Sequence, residues 1–135
     1  MTRHVFVLWS ILPVLAACNS NPAGPSEVPL GQEFTLMPGE SATVQGTDLQ
    51  VSFDKVVEDS RCPIDVNCIQ AGDVVVAVQA RWKDGASDFQ LRTAAGRDAT
   101  SAGAYLVRLV RVQPEADTRH PIAPGDYRTV LEVTR

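Results

Sequence analysis

The densest group of side chains capable of chemistry lies between Glu58 and Asp73. One interpretation is an ion pair in which Arg61 binds a carboxylate through two parallel hydrogen bonds, with Asp59 or Glu58 as the acceptor. A second interpretation is a calcium site, because calcium binds carboxylate and amide oxygens. The candidate ligands of that site are Asp59, Asp65, Asn67 and Asp73. A third interpretation is that this stretch recognises a ligand directly. The presence of a guanidinium among the carboxylates favours the ion pair.

The sequence offers little for catalysis. A serine triad would have to use His120, which lies between Arg119 and Pro121 in a segment without strand or helix periodicity. The Gly-x-Ser-x-Gly pattern of a nucleophile elbow does not occur in the sequence. We therefore predict a protein that is not an enzyme, with no catalytic residues and no cofactor.

The amino-terminal segment predicts export. A short polar start containing Arg3 precedes an apolar run of 11 residues at 5–15. That run is too short for a membrane span, which needs about 20 residues, and it has the length of a signal-peptide core. We therefore interpret residues 1–17 as a signal peptide.

The end of this leader, Leu-Ala-Ala-Cys at 15–18, resembles the lipobox of bacterial lipoprotein signal peptides. The resemblance implies cleavage before Cys18 and attachment of fatty acyl chains to Cys18, which would anchor the protein in a lipid bilayer. An ordinary secretory signal is the alternative. Asn19 follows the cysteine at the position where an aspartate would, in enteric-type bacteria, favour retention in the inner membrane. We therefore expect an exported lipoprotein at the outer membrane that faces the periplasm or the cell surface.

The other two cysteines are Cys62 and Cys68. In an exported protein such thiols normally oxidise, so we predict a disulfide between them. Zinc is the competing interpretation, but the close cysteine-pair spacing of zinc sites is absent and His120 lies far away in the sequence. The disulfide closes a short loop and is therefore expected to shape that loop more than to hold up the whole domain.

The segment 58–72 resembles a family of uncharacterised bacterial lipoproteins and secreted proteins with an EDSRCP…V.C..AG block. The matching residues are Glu-Asp-Ser-Arg-Cys-Pro at 58–63, Val66, Cys68 and Ala71-Gly72. The similarity extends more thinly to the flanking strands and to the final Pro-Gly-Asp-Tyr strand. Family members often have tryptophan where this chain has Gln70. The resemblance implies an exported, sandwich-like domain with a cystine loop, and it implies no particular activity.

Length and charge indicate one acidic domain. Without its leader the chain has 11 basic and 16 acidic residues, which does not favour nucleic acid as a partner. Residues 18–29 contain three prolines and no apolar periodicity, so we predict a lipidated cysteine followed by a flexible tether. Residues 30–135 are then a single domain.

Strand periodicity dominates the predicted domain. Asp84-Gly85 predicts a hairpin turn, and irregular alternation near Leu109 and at Asp54-Lys55 predicts β-bulges. The stretch 94–104 reads as a long loop. Apolar and polar residues alternate at 49–53, 74–82, 89–91 and 127–133.

These segments predict an all-β protein. About seven strands in roughly 100 residues favour an antiparallel β-sandwich of the immunoglobulin-like kind. A small closed β-barrel is the alternative, because strand number alone does not separate two packed sheets from one rolled sheet. Trp82 and Tyr127 are in phase with apolar neighbours, so we expect both in the core.

Two functional hypotheses follow. The first is a non-catalytic, membrane-anchored module that binds an envelope protein or polymer through the cystine loop and nearby turns. The second is an inhibitor or accessory subunit of an envelope hydrolase, in which the Cys62–Cys68 loop enters the cleft of the other protein.

Overall fold

The computed structural model describes residues 24–135. The predicted leader, Cys18 and the first part of the predicted tether lie outside the described residues. None of the described residues belongs to a helix long and apolar enough to cross a membrane. The strands are β1 (Ser26–Val28), β2 (Glu33–Leu36), β3 (Ser41–Val44), β4 (Gln50–Asp59), β5 (Val74–Trp82), β6 (Gly85–Arg92), β7 (Ala99–Ala102), β8 (Tyr105–Gln113) and β9 (Arg128–Thr134).

The strands form two sheets that enclose one hydrophobic core. A five-stranded sheet has the order β1-β3-β4-β5-β6, and a four-stranded sheet has the order β2-β9-β8-β7. Neither sheet closes on itself or on the other. The predicted all-β sandwich is therefore confirmed, and the alternative of a closed barrel is wrong.

The described residues contain nine strands rather than about seven, and β1 is one source of the difference. Ser26 pairs with Ala42 of β3 in a parallel arrangement, and the side chain of Val28 is buried. Residues 26–28 thus belong to the domain, and the predicted boundary at Leu30 lies too late. A short edge strand needs only backbone hydrogen bonds and one buried side chain, so it leaves no alternating pattern in the sequence.

The strand β7 is the other source. It lies within the stretch 94–104 that the sequence predicted as a loop, and it pairs antiparallel with β8. Only Ala102 of this strand is fully buried. Its small side chains carry no hydrophobic signal, and its pairing is decided by the neighbouring β8.

The core lies between the inward faces of the two sheets. Alternate residues of β5 are buried as predicted, and the facing sheet contributes Leu131 and Val133. Trp82 and Tyr127 are only partly buried and pack against the edge of the core. Buried and less buried residues alternate from Val76 to Arg81, which fixes one face of β5 toward the core, whereas Val75 on the opposite face is buried as well.

The predicted turn and bulges are present. Residues 83–84 join β5 to β6 in a hairpin. The pairing of β4 with β5 shifts between Phe53 and Lys55, and that of β8 with β9 shifts between Leu109 and Arg111. A second shift, between Val56 and Glu58, alters the register of β4 just before the cystine loop begins.

Strand directions give the sandwich two distinct ends. The hairpin end consists of the turns 45–49, 83–84 and 103–104. The cystine-loop end consists of the loops 60–73 and 114–127, which follow β4 in one sheet and β8 in the other. The sequence-predicted site residues within the described part of the chain lie at or beside the second of these ends, and Cys18 lies outside it.

Candidate functional site

The base of the cystine loop is closed by hydrogen bonds between Ser60 and Asp73. The Ser60 amide donates to the Asp73 carbonyl oxygen at 2.9 Å, and the Asp73 amide donates to Ser60 Oγ at 3.2 Å. Gly72 makes this close approach feasible, because a Cβ atom at that position would overlap the carbonyl oxygen of Ser60. These contacts hold the two ends of the loop together where β4 and β5 separate.

The predicted disulfide joins Cys62 and Cys68, whose Cα atoms are 5.8 Å apart. It closes a small ring inside the larger loop 60–73. The loop therefore has two closures, one at its base and one within it, and both restrict its conformations.

The predicted ion pair is formed by Arg61 and Asp59. Arg61 Nε donates to Asp59 Oδ1 at 2.9 Å, and Nη2 donates to Oδ2 at 2.6 Å. The two side chains are only 16% and 12% exposed, so this bidentate pair is largely shielded from solvent. Glu58, the other predicted acceptor, is instead exposed on β4 opposite Val75.

This ion pair also connects the two sheets. Arg61 Nη1 donates to the carbonyl oxygen of Val112 on β8 at 3.0 Å. The hydroxyl of Tyr127, just before β9, donates to Asp59 Oδ2 at 3.1 Å. The start of the cystine loop is thus fastened to β8 of the other sheet and to the residue that precedes β9.

The tip of the cystine loop is fastened to the loop 114–127. The amide of Ile64 donates to the carbonyl oxygen of Ala116 at 2.8 Å. Asp65 accepts hydrogen bonds from both the amide and the hydroxyl of Thr118, the amide contact being 2.9 Å. Residues 53 positions apart in sequence therefore hold one another in place.

The loop 114–127 carries a second ion pair, between Asp117 and Arg119. Arg119 Nε and Nη2 donate to the two carboxylate oxygens at 2.9 and 2.7 Å. The His120 ring lies 3.4 Å from the same carboxylate and is exposed. His120 thus belongs to the outer surface of this loop.

These contacts lower the pKa of three aspartates. Burial alone would raise the pKa of Asp59, but the hydrogen bonds from Arg61 outweigh it and hold the pKa below its usual value. The hydrogen bonds from Thr118 lower the pKa of Asp65, and those from Arg119 hold the pKa of Asp117 well below its usual range. All three carboxylates are therefore ionised at neutral pH and act as hydrogen-bond acceptors.

The four candidate calcium ligands do not converge. Asp59 faces Arg61, Asp65 faces Thr118, and Asp73 forms an ion pair with Arg92 at 3.1 Å. Asn67 is exposed near the loop tip. Within residues 24–135, no three histidine, cysteine or acidic side chains are placed to share a metal ion. The geometry thus favours the ion-pair interpretation of this stretch.

The cystine loop presents aliphatic side chains to solvent. Ile64 is 62% exposed, Val66 is 43% exposed and Ile69 is fully exposed. Val57, at the end of β4, is also exposed. Exposed aliphatic groups gathered on one surface are typical of contact sites, because their exposure to water is unfavourable.

Two concave surfaces of the described chain are candidate sites. A cleft of about 210 Å³ lies between the cystine loop and the loop 114–127, and the Asp59–Arg61 pair lines it. A groove of about 600 Å³ crosses the outward face of the five-stranded sheet. Polar groups in the groove bind one another, as in the contact between Ser41 and Ser52 at 2.7 Å. The exposed aliphatic groups thus make the cystine-loop end the better candidate.

Sequence reasoning did not identify the partners that hold the loop. Thr118 and Ala116 belong to no motif, and the alternation that places the Tyr127 ring in phase with apolar residues gives no signal of its hydroxyl contact with Asp59. The aliphatic residues within the cystine ring were the available signal, since they do not belong to any alternating strand.

Comparison of the chain with protein-family models, with curated proteins and with solved structures finds no match. The function proposed below therefore draws on the residues and contacts of the cystine-loop end.

Proposed function

We propose that the chain is an exported lipoprotein, acylated at Cys18 and anchored in the outer membrane, whose folded domain is a non-catalytic binding module. The leader 1–17 and its Leu-Ala-Ala-Cys ending support export and acylation. The Cys62–Cys68 disulfide is in keeping with an oxidising compartment. We further propose that the protein belongs to the lipoprotein family with the EDSRCP block.

One observation carries the binding role: the cystine loop is rigidly supported and yet exposes Ile64, Val66 and Ile69. Burial of each such side chain against a partner contributes about 1.5 to 2 kcal/mol. A loop that is already ordered loses little conformational entropy on binding, so more of this gain is retained as affinity.

The residues of the EDSRCP block have structural tasks in this loop. Asp59 and Arg61 form the ion pair that joins the sheets, the cysteines close the ring, and Gly72 permits closure at the base. The positions between them, such as Ile64 and Ile69, point outward into solvent. These residues of the block therefore build a support, and the contact surface consists of the intervening Ile64 and Ile69 together with Val66 of the block.

A non-catalytic role is supported by the contacts of the cysteines and of His120, which are the groups that could otherwise react. The two cysteines of the described chain are joined to each other, which removes them as nucleophiles. His120 contacts an aspartate already held by Arg119 on an exposed loop. These groups serve the architecture of the loop end.

A second candidate function is inhibition of an envelope hydrolase. It is favoured by the small ring 62–68, which places Ile64 and Val66 at an exposed tip while the Asp65 carboxylate is held from behind by Thr118. A stiff tip of this kind can enter the cleft of another protein at low entropic cost.

The test compares a loop variant with a matched variant at the other end. The full-length lipoprotein is isolated from membranes after mild crosslinking, alongside Ile64→Ser/Ile69→Ser and the control Leu30→Ser, which changes an exposed aliphatic group near the hairpin end. We expect the loop variant to lose a crosslinked envelope protein that the control retains. All three proteins should show the same thermal unfolding midpoint, since these side chains are exposed.

Equal crosslinking by all three proteins would remove the cystine loop as the binding surface. Acylation is tested separately, by labelling with a fatty acid in cells. The unchanged chain should incorporate the label and Cys18→Ala should not. Purified lipoprotein added to envelope extracts tests the second candidate, which requires hydrolase activity to fall with the unchanged chain but not with the loop variant.

A further inference from the structure

The net charge of the protein is concentrated at the cystine-loop end. Segments 58–73 and 114–127 together hold seven acidic and two basic residues. The rest of the described chain holds nine of each and is formally neutral. The excess of acidic over basic residues in the domain thus lies in the two loops that meet at one end of the sandwich.

Several of these acidic groups remain free to face a partner. Asp59 and Asp117 are occupied by arginines of the same loops, and Asp73 is occupied by Arg92. Glu58, Glu115 and Asp126 are exposed, and none of them takes part in an ion pair within the described chain. These three exposed acidic groups are therefore not among the carboxylates that hold the loops together through ion pairs.

Two of the acidic groups are next in sequence to residues at or beside the aliphatic surface. Glu58 follows the exposed Val57, and Glu115 precedes Ala116, whose carbonyl oxygen accepts the amide of Ile64. Interfaces commonly have an apolar centre and a polar rim, and the charge of the rim matches that of the partner. The loop end has this composition, with a negative rim.

We propose, on the basis of the binding function above, that the partner is a protein with an apolar pocket bordered by lysine and arginine residues. Ile64 and Ile69 enter the pocket, while Glu58 and Glu115 face the basic border. The charges steer the encounter and set its salt dependence, and the aliphatic groups supply most of the affinity.

The same composition argues against the bilayer surface as the occupant. Segments that bind membranes in this way combine apolar groups with lysine and arginine, often with tryptophan. The two segments contain no lysine or tryptophan, and their single aromatic residue, Tyr127, is partly buried. An acidic rim is repelled by anionic lipid headgroups, so a basic protein fits this end better.

The test begins with a photoreactive amino acid at position 69 of the acylated full-length chain in cells. The same amino acid at position 83, in the hairpin end, is the control. We expect a protein adduct from position 69 and none from position 83. The crosslinked protein is then purified, and its affinity for the unchanged lipoprotein is measured from low to high salt.

Charge-reversal variants complete the test. Glu58→Lys/Glu115→Lys should weaken binding about tenfold, and raising the salt concentration should weaken binding of the unchanged chain by a similar factor. The control Glu27→Lys/Asp54→Lys makes the same change in net charge on the five-stranded sheet, away from the loop end, and should leave affinity within about twofold.

Lipid adducts at position 69, or no adduct, would overturn the proposal. A protein adduct whose affinity is indifferent to salt and to Glu58→Lys/Glu115→Lys would also overturn it. In that last case the aliphatic binding surface proposed above still stands if Ile64→Ser/Ile69→Ser abolishes binding of the purified partner. The test can thus reject the proposal of a basic partner without rejecting the proposed binding function.

Discussion

The two ends of the sandwich join their strands in different ways. At the hairpin end, turns of five, two and two residues connect neighbouring strands. At the cystine-loop end, two loops of 14 residues each leave the sheets and meet one another. The hairpin end is held mainly by local contacts, such as the amide of Thr47 to the Val44 carbonyl oxygen. The other end is held by contacts between residues more than 50 positions apart.

This difference shows how a small domain orders long loops. Each long loop loses more conformational entropy on folding than a short turn does, so it needs additional contacts to stay in one conformation. The cystine-loop end supplies them as a disulfide, a shielded ion pair and hydrogen bonds between the loops. Long and yet ordered loops are where binding surfaces are commonly found.

Acid is expected to change the difference between the two ends most, because it protonates three aspartates of the cystine-loop end at once. The pKa values of Asp59, Asp65 and Asp117 in the folded protein lie below their ordinary value of 3.8. Their stabilisation is therefore complete above pH 3.8 and is lost as the pH falls through the lower folded values.

Amide hydrogen exchange measures this loss locally. The amide of Ile64, bound to Ala116, should lose protection in acid before the amide of Val44, bound to Leu49 near the hairpin end. Simultaneous loss at both amides would mean that the two ends unfold as one unit, contrary to this prediction.

Removal of the arginine that joins the sheets is expected to have the next largest effect. Arg61→Ala leaves the shielded Asp59 carboxylate without its partner, so the free energy of unfolding should fall by about 3 kcal/mol in urea titrations. Arg119→Ala removes the arginine of the neighbouring ion pair and serves as the control, with a clearly smaller loss expected because the Arg119 side chain is itself exposed. Equal effects of the two substitutions would show that the Asp59–Arg61 pair has no special role in stability.

Loss of the disulfide should have a smaller effect on the same end. Cys62→Ser/Cys68→Ser should lower the free energy of unfolding by about 2 kcal/mol, because the ring is short and releases a modest chain entropy. The fold should persist, since Asp65 remains bound to Thr118. Thermal unfolding of both proteins, with and without a reductant, measures the difference. A variant that fails to fold would mean that the ring supports the whole domain.

The smallest effect is expected at the hairpin end. Asp48 accepts a hydrogen bond from the amide of Lys83 at 2.6 Å, which joins two of the short turns. Asp48→Ala should lower the free energy of unfolding by about 1 kcal/mol or less, because the contact is exposed. A loss as large as that of Arg61→Ala would remove the proposed contrast between the ends.

Much of the fold was predictable because strand periodicity is a local property. The alternation in 74–82, the hairpin at 83–84 and the bulges near Asp54 and Leu109 are all confirmed. The strands β1 and β7 were missed, since short strands held by backbone pairing need no hydrophobic pattern. They are strands because their backbones pair with β3 and β8.

The candidate site was predictable only where its partners lie close in sequence. Asp59 with Arg61 and Cys62 with Cys68 are two and six positions apart, and both pairs are confirmed. The choice of Asp59 over Glu58 depends on strand geometry, because successive residues of β4 point in different directions. The aliphatic groups of the loop were visible in the sequence, but their exposure was not.

The sequence by itself determined the alternating strands, the tight turns and the pairs within a few residues, because these follow from local geometry. Only the tertiary structure decided that β4 and β8 finish at the same end of the sandwich. That arrangement brings Thr118 to Asp65 and Tyr127 to Asp59. It also brings two separate acidic loops together at the end that carries Ile64, although these loops lie far apart in the sequence.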